Sequence, residues 1–413
     1  MSGFERRAGQ LQGDGQSLEE LARRHGTPLY VYSRGLLEQA FRDYDRAFAE
    51  LPHLVCYALK ANANGALLRV LAGLGAGADI VSGMELRAAL RAGFPPERIT
   101  FSGVGKTEEE LRLGLEAGIA EFNCESEGEI EALSRLASAG GGQARIALRV
   151  NPDIDAQSHP YISTGLRESK FGIELAAAEE VLERARRRPG IEVVGVQCHI
   201  GSQIRDLEPL EQAARELAAL ACRLQARGFP LRHVDVGGGL GVDYDGEGAP
   251  TPADLAARVV PAVRDLGLPL VVEPGRSLVA RAGLLLTRVL YLKRNRDQRF
   301  GIVDAGMNDL LRPVLYEAHH RIEPVLAPRA ERWRADVVGP VCESGDFLAL
   351  DRELPALEPG DLLAVCDAGA YGWSMSSTYN LRPRAAEVLL EDGSARVIRR
   401  RETFEDLVRT EQG

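Results

Sequence analysis

The chain has 413 residues, is 45% hydrophobic, and carries a formal net charge of −10 with a pI near 5.4. That length accommodates one large domain with a smaller one, or two of similar size. The acidic balance speaks against a nucleic-acid surface, which needs clustered cations. Six cysteines (56, 124, 198, 222, 342 and 366) form no CxxC pair, which excludes a zinc knuckle or a thioredoxin-like motif. Three of them lie in strand-like runs, as small core residues do. The opening stretch "MSGFERRAGQLQGDG" lacks the apolar segment of a signal peptide, and no uncharged apolar run reaches the length of a bilayer span. A reducing cytoplasm is the expected compartment.

In chain order, residues 1 to 28 precede any regular pattern, and a strand from them is expected to join the C-terminal part. From about residue 53 a rhythm sets in. The runs "LVCYALK", "GADIVS", "ITFSG", "EFNCES", "RIALRVN", "VGVQCHIG", "HVDVGGG" and "LPLVVEPGR" are short, apolar or β-branched, and end in polar or glycine residues. Between them lie segments such as "GMELRAALRAG" and "TEEELRLGLEAG", with apolar spacings of three and four and a glycine stop. Strands alternating with helices imply parallel strands joined by crossovers. Eight such units predict an α/β (β/α)8 barrel of the TIM type, with an open doubly wound sheet as the alternative. After about residue 284 the runs follow one another without regular helices, which predicts a mostly β C-terminal domain. The expected division is a barrel over 29–283 and a β domain from 1–28 plus 284–413.

Barrels of this kind carry their reacting groups at the C-terminal strand ends. Here those ends hold Lys60, Asp79, Arg149, His199, Gly237, Gly238, Gly239, Glu273 and Arg276. Each alone reads as a solvated strand end; their common position is what points to a site. The run "DVGGGLG" lets backbone amides approach an anion, although a bare tight turn is the plain alternative. It is no dinucleotide fingerprint, because Val242 occupies the third glycine position, and "GVGKT" is no Walker loop, because Thr100 stands where its first glycine belongs. A second glycine, Gly275 in "EPGRS", ends another strand, and the two loops together suit one phosphate. A phosphate cradle, an amine and a carboxylate suit pyridoxal 5'-phosphate. That cofactor needs a lysine for its Schiff base, amides for its phosphate, and an acid at its ring nitrogen. Lys60 and Glu273 fit the first and last of these, and His199 suits a ring face. His319 and His320 are adjacent, are expected on a helix, and therefore point apart, which makes a shared metal improbable.

In their order along the chain, "YALKAN", "VNPDIDAQSHPYISTG", "ESKFGI", "CHIGSQ", "DVGGGLG", "EPGRSLVA", "DAGMNDLLRPVLYEA", "VGPVCESGDFL" and "GAYGWSMSSTYN" resemble the diaminopimelate decarboxylases. These are barrel-type pyridoxal-phosphate enzymes related to alanine racemase and eukaryotic ornithine decarboxylase. The resemblance runs from about residue 10 to about residue 405. It implies a barrel followed by a β domain, and a homodimer whose active sites are each completed by the partner's C-terminal domain. It implies that Lys60 holds the cofactor, and that Ser202, Gly239, Gly275 and the Arg276 backbone cradle the phosphate with Tyr371. It further implies Glu273 at the ring nitrogen, His199 over the ring, and Asp79 with Arg149 as support. Arg276, Arg312, Tyr316 and Tyr371 take substrate roles. From the neighbouring chain, Cys342 is implied as proton donor and Glu343 as a substrate ligand. Ala63 stands where a serine is frequent. The implied reaction turns meso-2,6-diaminopimelate into L-lysine and CO2, without a metal. Alternatives are decarboxylation of another basic or dicarboxylic amino acid, or a non-catalytic relative with a regulatory role.

Overall fold

The computed structural model describes residues 3–156, 159, 162, 164–165 and 169–412. The chain divides into two compact units, Ala40–Val242 with Ala249–Ser277, and Met1–Gln39 with Asp243–Gly248 and Leu278–Gly413.

Among the described residues, eight parallel strands of the first unit form a closed ring, and a two-residue ninth, Ile173–Glu174, pairs in parallel alongside Ala144–Asn151. The eight are β1 (His53–Ala58), β2 (Gly77–Ile80), β3 (Ile99–Phe101), β4 (Glu121–Cys124), β5 (Ala144–Asn151), β6 (Ile191–Gln197), β7 (His233–Asp235) and β8 (Leu270–Val272). Each pairs with the next in sequence, and β8 pairs with β1, so the sheet closes. The barrel expected from the eight runs is present, and its closure removes the open-sheet alternative. Closure leaves no strand edge, and the strands are covered on both faces, which is why they read as nearly continuous apolar runs. The crossover helices begin and end where the local chemistry dictates. Ser82 accepts from the Glu85 N–H at the start of Gly83–Ala92, and Gly93 ends that helix at φ 97°. Thr107 and Glu110 form a capping box before Glu108–Ala117, which Gly118 ends at φ 68°. The lysine of "GVGKT" has a structural use. The buried Lys106 ammonium donates to the Gly103 and Asn123 carbonyls at 2.8 Å each and pairs with Glu129 at 2.6 Å, tying the ends of β3 and β4.

The second unit is mostly β. Its central strand, Gly283–Asn295, pairs antiparallel with Gln298–Val303, with Leu362–Val365 and with Leu29–Ser33. Leu29–Ser33 in turn pairs in parallel with Ala386–Glu391. This strand is fully buried and belongs to the second unit's sheet, so the barrel begins later than residue 29. The segment before it forms a separate three-stranded sheet, Phe4–Arg7, Gln10–Gly13 and Gln16–Ser17, in place of the single added strand expected. Leu11, Leu18 and Leu21 from this segment pack with Leu29, Val31, Leu284, Leu286, Val388 and Leu390 in one apolar cluster. Each such buried leucine contributes about 1.5–3 kcal/mol, which is what fixes the N-terminus here. Helices in this unit are short: Leu18–His25 carries Leu18 and Leu21, and Arg312–Tyr316 and Phe404–Val408 are single turns.

Candidate active site

In the barrel, the residues singled out at strand ends do share one end. Lys60 follows β1 on a short turn, and its Nζ lies 3.1 Å from Asp79 Oδ2 on β2. Asp79 is buried, while the Lys60 side chain keeps 37% of its surface exposed. The amine is thus anchored by one charge yet reachable. Asp79 Oδ1 has no hydrogen-bond partner among the described residues.

Arg149 and Asp79 do not pair with each other. The Arg149 guanidinium donates instead to Glu125 Oε1 at 3.0 Å, both side chains being buried, and lies over the Phe171 ring at 4.8 Å. Glu125 also accepts from the Gly103 N–H at 2.9 Å and the Gly172 N–H at 3.0 Å, so this one carboxylate gathers three loops. Arg149 Nη2 reaches the His199 carbonyl at 3.4 Å, and Thr164 Oγ1 donates to the same oxygen at 2.7 Å. The Gly238 N–H donates to His199 Nδ1 at 3.1 Å, which leaves the ring hydrogen on Nε2. Desolvation, then the positive charges of Lys60 and Arg149, hold the His199 pKa well below its ordinary value, so the ring is neutral.

Glu273 follows β8 and is buried. Its two oxygens each accept an amide N–H, from Asn123 Nδ2 at 3.3 Å and from Gln197 Nε2 at 3.0 Å. Asp235 on β7 stands in register with Val271, two residues before Glu273, so both acids face the barrel interior. Burial pushes the Asp235 carboxyl up to about 7. Burial, followed by the charges of Asp235 and Asp79, raises the Glu273 carboxyl well above its usual range. Buried carboxylates this close favour a shared proton over two charges. The apolar-looking runs gave little sign of Asn123, Gln197 and Asp235; their only signal is the alternation that turns them inward beside Glu273.

The triple-glycine turn has a different logic from the one expected. A Cβ on Gly237 would lie 2.4 Å from the Cys198 carbonyl oxygen, one on Gly238 2.3 Å from the Glu273 carbonyl oxygen, and one on Gly239 2.7 Å from that of Gly201. Glycine is therefore required by the backbone crossing of three strand ends. The Gly237 N–H is taken by Asp235 Oδ1 at 2.7 Å and that of Gly238 by His199, so neither amide is available to an anion. The amides of Gly239 and Gly275 have no hydrogen-bond partner among the described residues. Ser202 Oγ accepts from Arg276 Nη2 at 2.9 Å, which places a hydroxyl and a guanidinium together. Two open amides, a hydroxyl, a reachable lysine and a buried acid on amide donors fit pyridoxal phosphate. Asp79 Oδ1, without a hydrogen-bond partner among the described residues, borders the same interior.

In the second unit, Arg312 opens the single-turn helix that ends at Tyr316. Cys342 and Glu343 lie on the exposed connection between Arg332–Val338 and Phe347–Pro355, so Cys342 is no buried strand cysteine. Two side chains hold this connection. Buried Asp346 accepts from the Met307 and Val341 N–H groups at 2.6 Å each, and Asn380 Oδ1 accepts from the Cys342 N–H at 2.7 Å. Tyr371 has a left-handed backbone at φ 56°. His319 and His320 are not helical, because Glu317 turns left-handed at φ 51° and ends the helix before them. The stretches "VNPDIDAQSHPYISTG" and "ESKFGI" lie partly outside the described residues.

Residues 34–280 match the family described as "Pyridoxal-dependent decarboxylase, pyridoxal binding domain". A diaminopimelate decarboxylase of Pseudomonas aeruginosa is 52% identical, over 98% of this chain and 98% of its own. Another, of Aquifex aeolicus, is 49% identical, over 98% and 96%. Among solved structures, the diaminopimelate decarboxylase of Helicobacter pylori complexed with L-lysine superposes with a TM-score of 0.92 at 49% identity, covering 95% of this chain and 98% of that one.

Proposed function

The chain belongs to the pyridoxal-dependent decarboxylases, and from that premise we propose that it converts meso-2,6-diaminopimelate to L-lysine and CO2, the last step of lysine biosynthesis. The observation that carries this reading is near-full-length identity of about half to diaminopimelate decarboxylases, joined to a barrel end holding lysine, histidine and a buried glutamate.

Pyridoxal 5'-phosphate, when bound, supplies the electron sink for the pair left when the C–CO2 bond breaks. The residues do the rest. Lys60 attaches the cofactor, and Asp79 orients its amine. Glu273 holds a proton at the ring nitrogen, and the Asn123 and Gln197 amides fix its two oxygens. His199, held neutral, would hold the cofactor ring without adding a competing charge. Gly239, Gly275, Ser202 and the Arg276 backbone would hold the phosphate with Tyr371, while Gly237 and Gly238 shape the turn. Arg149 supports His199 through its carbonyl. The side chains of Arg276 and Arg312, with Tyr316 and Tyr371, bind substrate carboxylate, and Glu343 binds its distal ammonium; guanidinium forks and carboxylates match those groups. Cys342 returns the proton to carbon, a task suited to a thiol. Supported by the family resemblance, Cys342 and Glu343 serve the partner subunit of a cytoplasmic homodimer. Among the described residues no helix is long and apolar enough to cross a membrane.

The test is incubation of the holoenzyme with the separated stereoisomers of diaminopimelate. L-lysine and CO2 from the meso isomer alone are expected. Equal turnover of lysine or ornithine would overturn the substrate assignment.

A further inference from the structure

Arg312 is buried and so is His320 eight residues on, in the connection that follows the helix. Arg312 Nη1 lies 2.7 Å from His320 Nε2, and His320 Nδ1 lies 2.8 Å from the Cys366 carbonyl oxygen. A guanidinium has only donors, so Nε2 must accept. The ring is then neutral with its hydrogen on Nδ1, donated to the carbonyl. Both ring nitrogens are used, and the imidazole is fixed by the backbone of the Leu362–Val365 strand's end. The guanidinium lies over the Tyr244 ring at 4.4 Å, and the Tyr244 and His320 rings meet edge-on at 5.1 Å and 67°. Arg312 is held along one edge and across one face.

We propose that His320, with Tyr244 beneath, is a positioning residue for Arg312 that aims its guanidinium at a carboxylate of a dicarboxylic amino-acid substrate. The chemistry of the holder is the argument. A carboxylate at that place would orient the guanidinium but also neutralise it. A neutral imidazole orients it without itself neutralising the guanidinium. The helix that carries Arg312 is one turn long and cannot fix a long side chain by itself. This inference rests on the reading of Arg312 as a substrate ligand.

Two variants separate the two bonds of the imidazole. In His320→Gln the amide reaches the place of Nε2 and can still accept from Arg312. In His320→Asn the amide falls at the place of Nδ1 and can still donate to the Cys366 carbonyl, but Arg312 loses its acceptor. With holoenzyme, His320→Asn is expected to raise KM for diaminopimelate about 10-fold with kcat within about threefold, the loss of one hydrogen bond to a charged group. His320→Gln is expected to stay close to the parent. Inhibition by the product L-lysine should weaken in parallel in His320→Asn. Equal damage in both variants, or a fall in kcat alone, would overturn the positioning role. Arg312→Ala is the reference. If it leaves KM unchanged, the reading of Arg312 fails; if it raises KM and His320→Asn does not, the present inference fails. Should His320→Asn not fold, Tyr244→Leu takes its place, with an expected KM increase of about 2- to 5-fold from the lost cation–π contact; an unchanged KM there overturns the proposal.

Discussion

The two units hold their site residues by different means. In the barrel, positions 60, 79, 149, 199 and 273 are aimed by strand register and by glycine-mediated backbone crossing. Many backbone bonds share the task. In the β unit, the connection bearing Cys342 is tied to its surroundings by the side chains of Asp346 and Asn380 besides its own backbone bonds, and Arg312, on a one-turn helix, is held by His320. A cooperative ladder tolerates the loss of one contact; a connection tied to its surroundings by two side chains tolerates it less. The barrel end is therefore the rigid half of the chemistry, and the β-unit loops are the half most exposed to substitution.

The largest effect is expected where the chemistry itself sits. Lys60→Ala should abolish covalent attachment of the cofactor and lower turnover by at least about 1,000-fold. Borohydride reduction followed by mass spectrometry reads this directly, and a cofactor still trapped on another residue would remove Lys60 from its role. Next, Gly238→Ala tests whether backbone crossing holds the barrel end. The added Cβ would sit 2.3 Å from the Glu273 carbonyl oxygen. A melting-temperature drop on the order of 5 °C is expected, together with weaker cofactor binding. Calorimetry showing no shift would mean that the turn yields easily.

Asp346→Asn probes the other half. An amide can accept from only one of the Met307 and Val341 N–H groups. Loss of about 10- to 100-fold in kcat is expected from a displaced Cys342 loop, with cofactor affinity unchanged. Weakened cofactor binding instead would erase the contrast between the halves.

The smallest effect concerns Asp235, whose carboxyl sits at about 7 against an ordinary value near 3.9. A raised carboxyl binds more protons in the folded than in the unfolded state between those values, so its contribution to stability falls as pH rises from about 4 to 7. Asp235→Asn removes that slope while keeping an acceptor for the Gly237 N–H. Melting curves of cofactor-free protein should show the variant gaining a few degrees on the parent between pH 5 and 8. A constant difference would show that Asp235 is not protonated in this window.

The amino-acid order by itself determined the eight barrel strands, because each apolar run must be buried on two faces and each ends where the chain turns polar. It also marked Lys60, Asp79, Arg149, His199 and Glu273, since strand ends in a closed parallel barrel share one side. Tertiary structure alone decided the partners. Nothing local tells that Arg149 meets Glu125 and not Asp79, that Asn123 and Gln197 meet Glu273, or that Leu29–Ser33 leaves the barrel for the second sheet. Nor does the sequence reveal that Gly237 and Gly238 spend their amides on Asp235 and His199. Burial periodicity is a property of neighbours along the chain, whereas hydrogen-bond choice depends on which distant groups the closed sheet brings within about 3 Å.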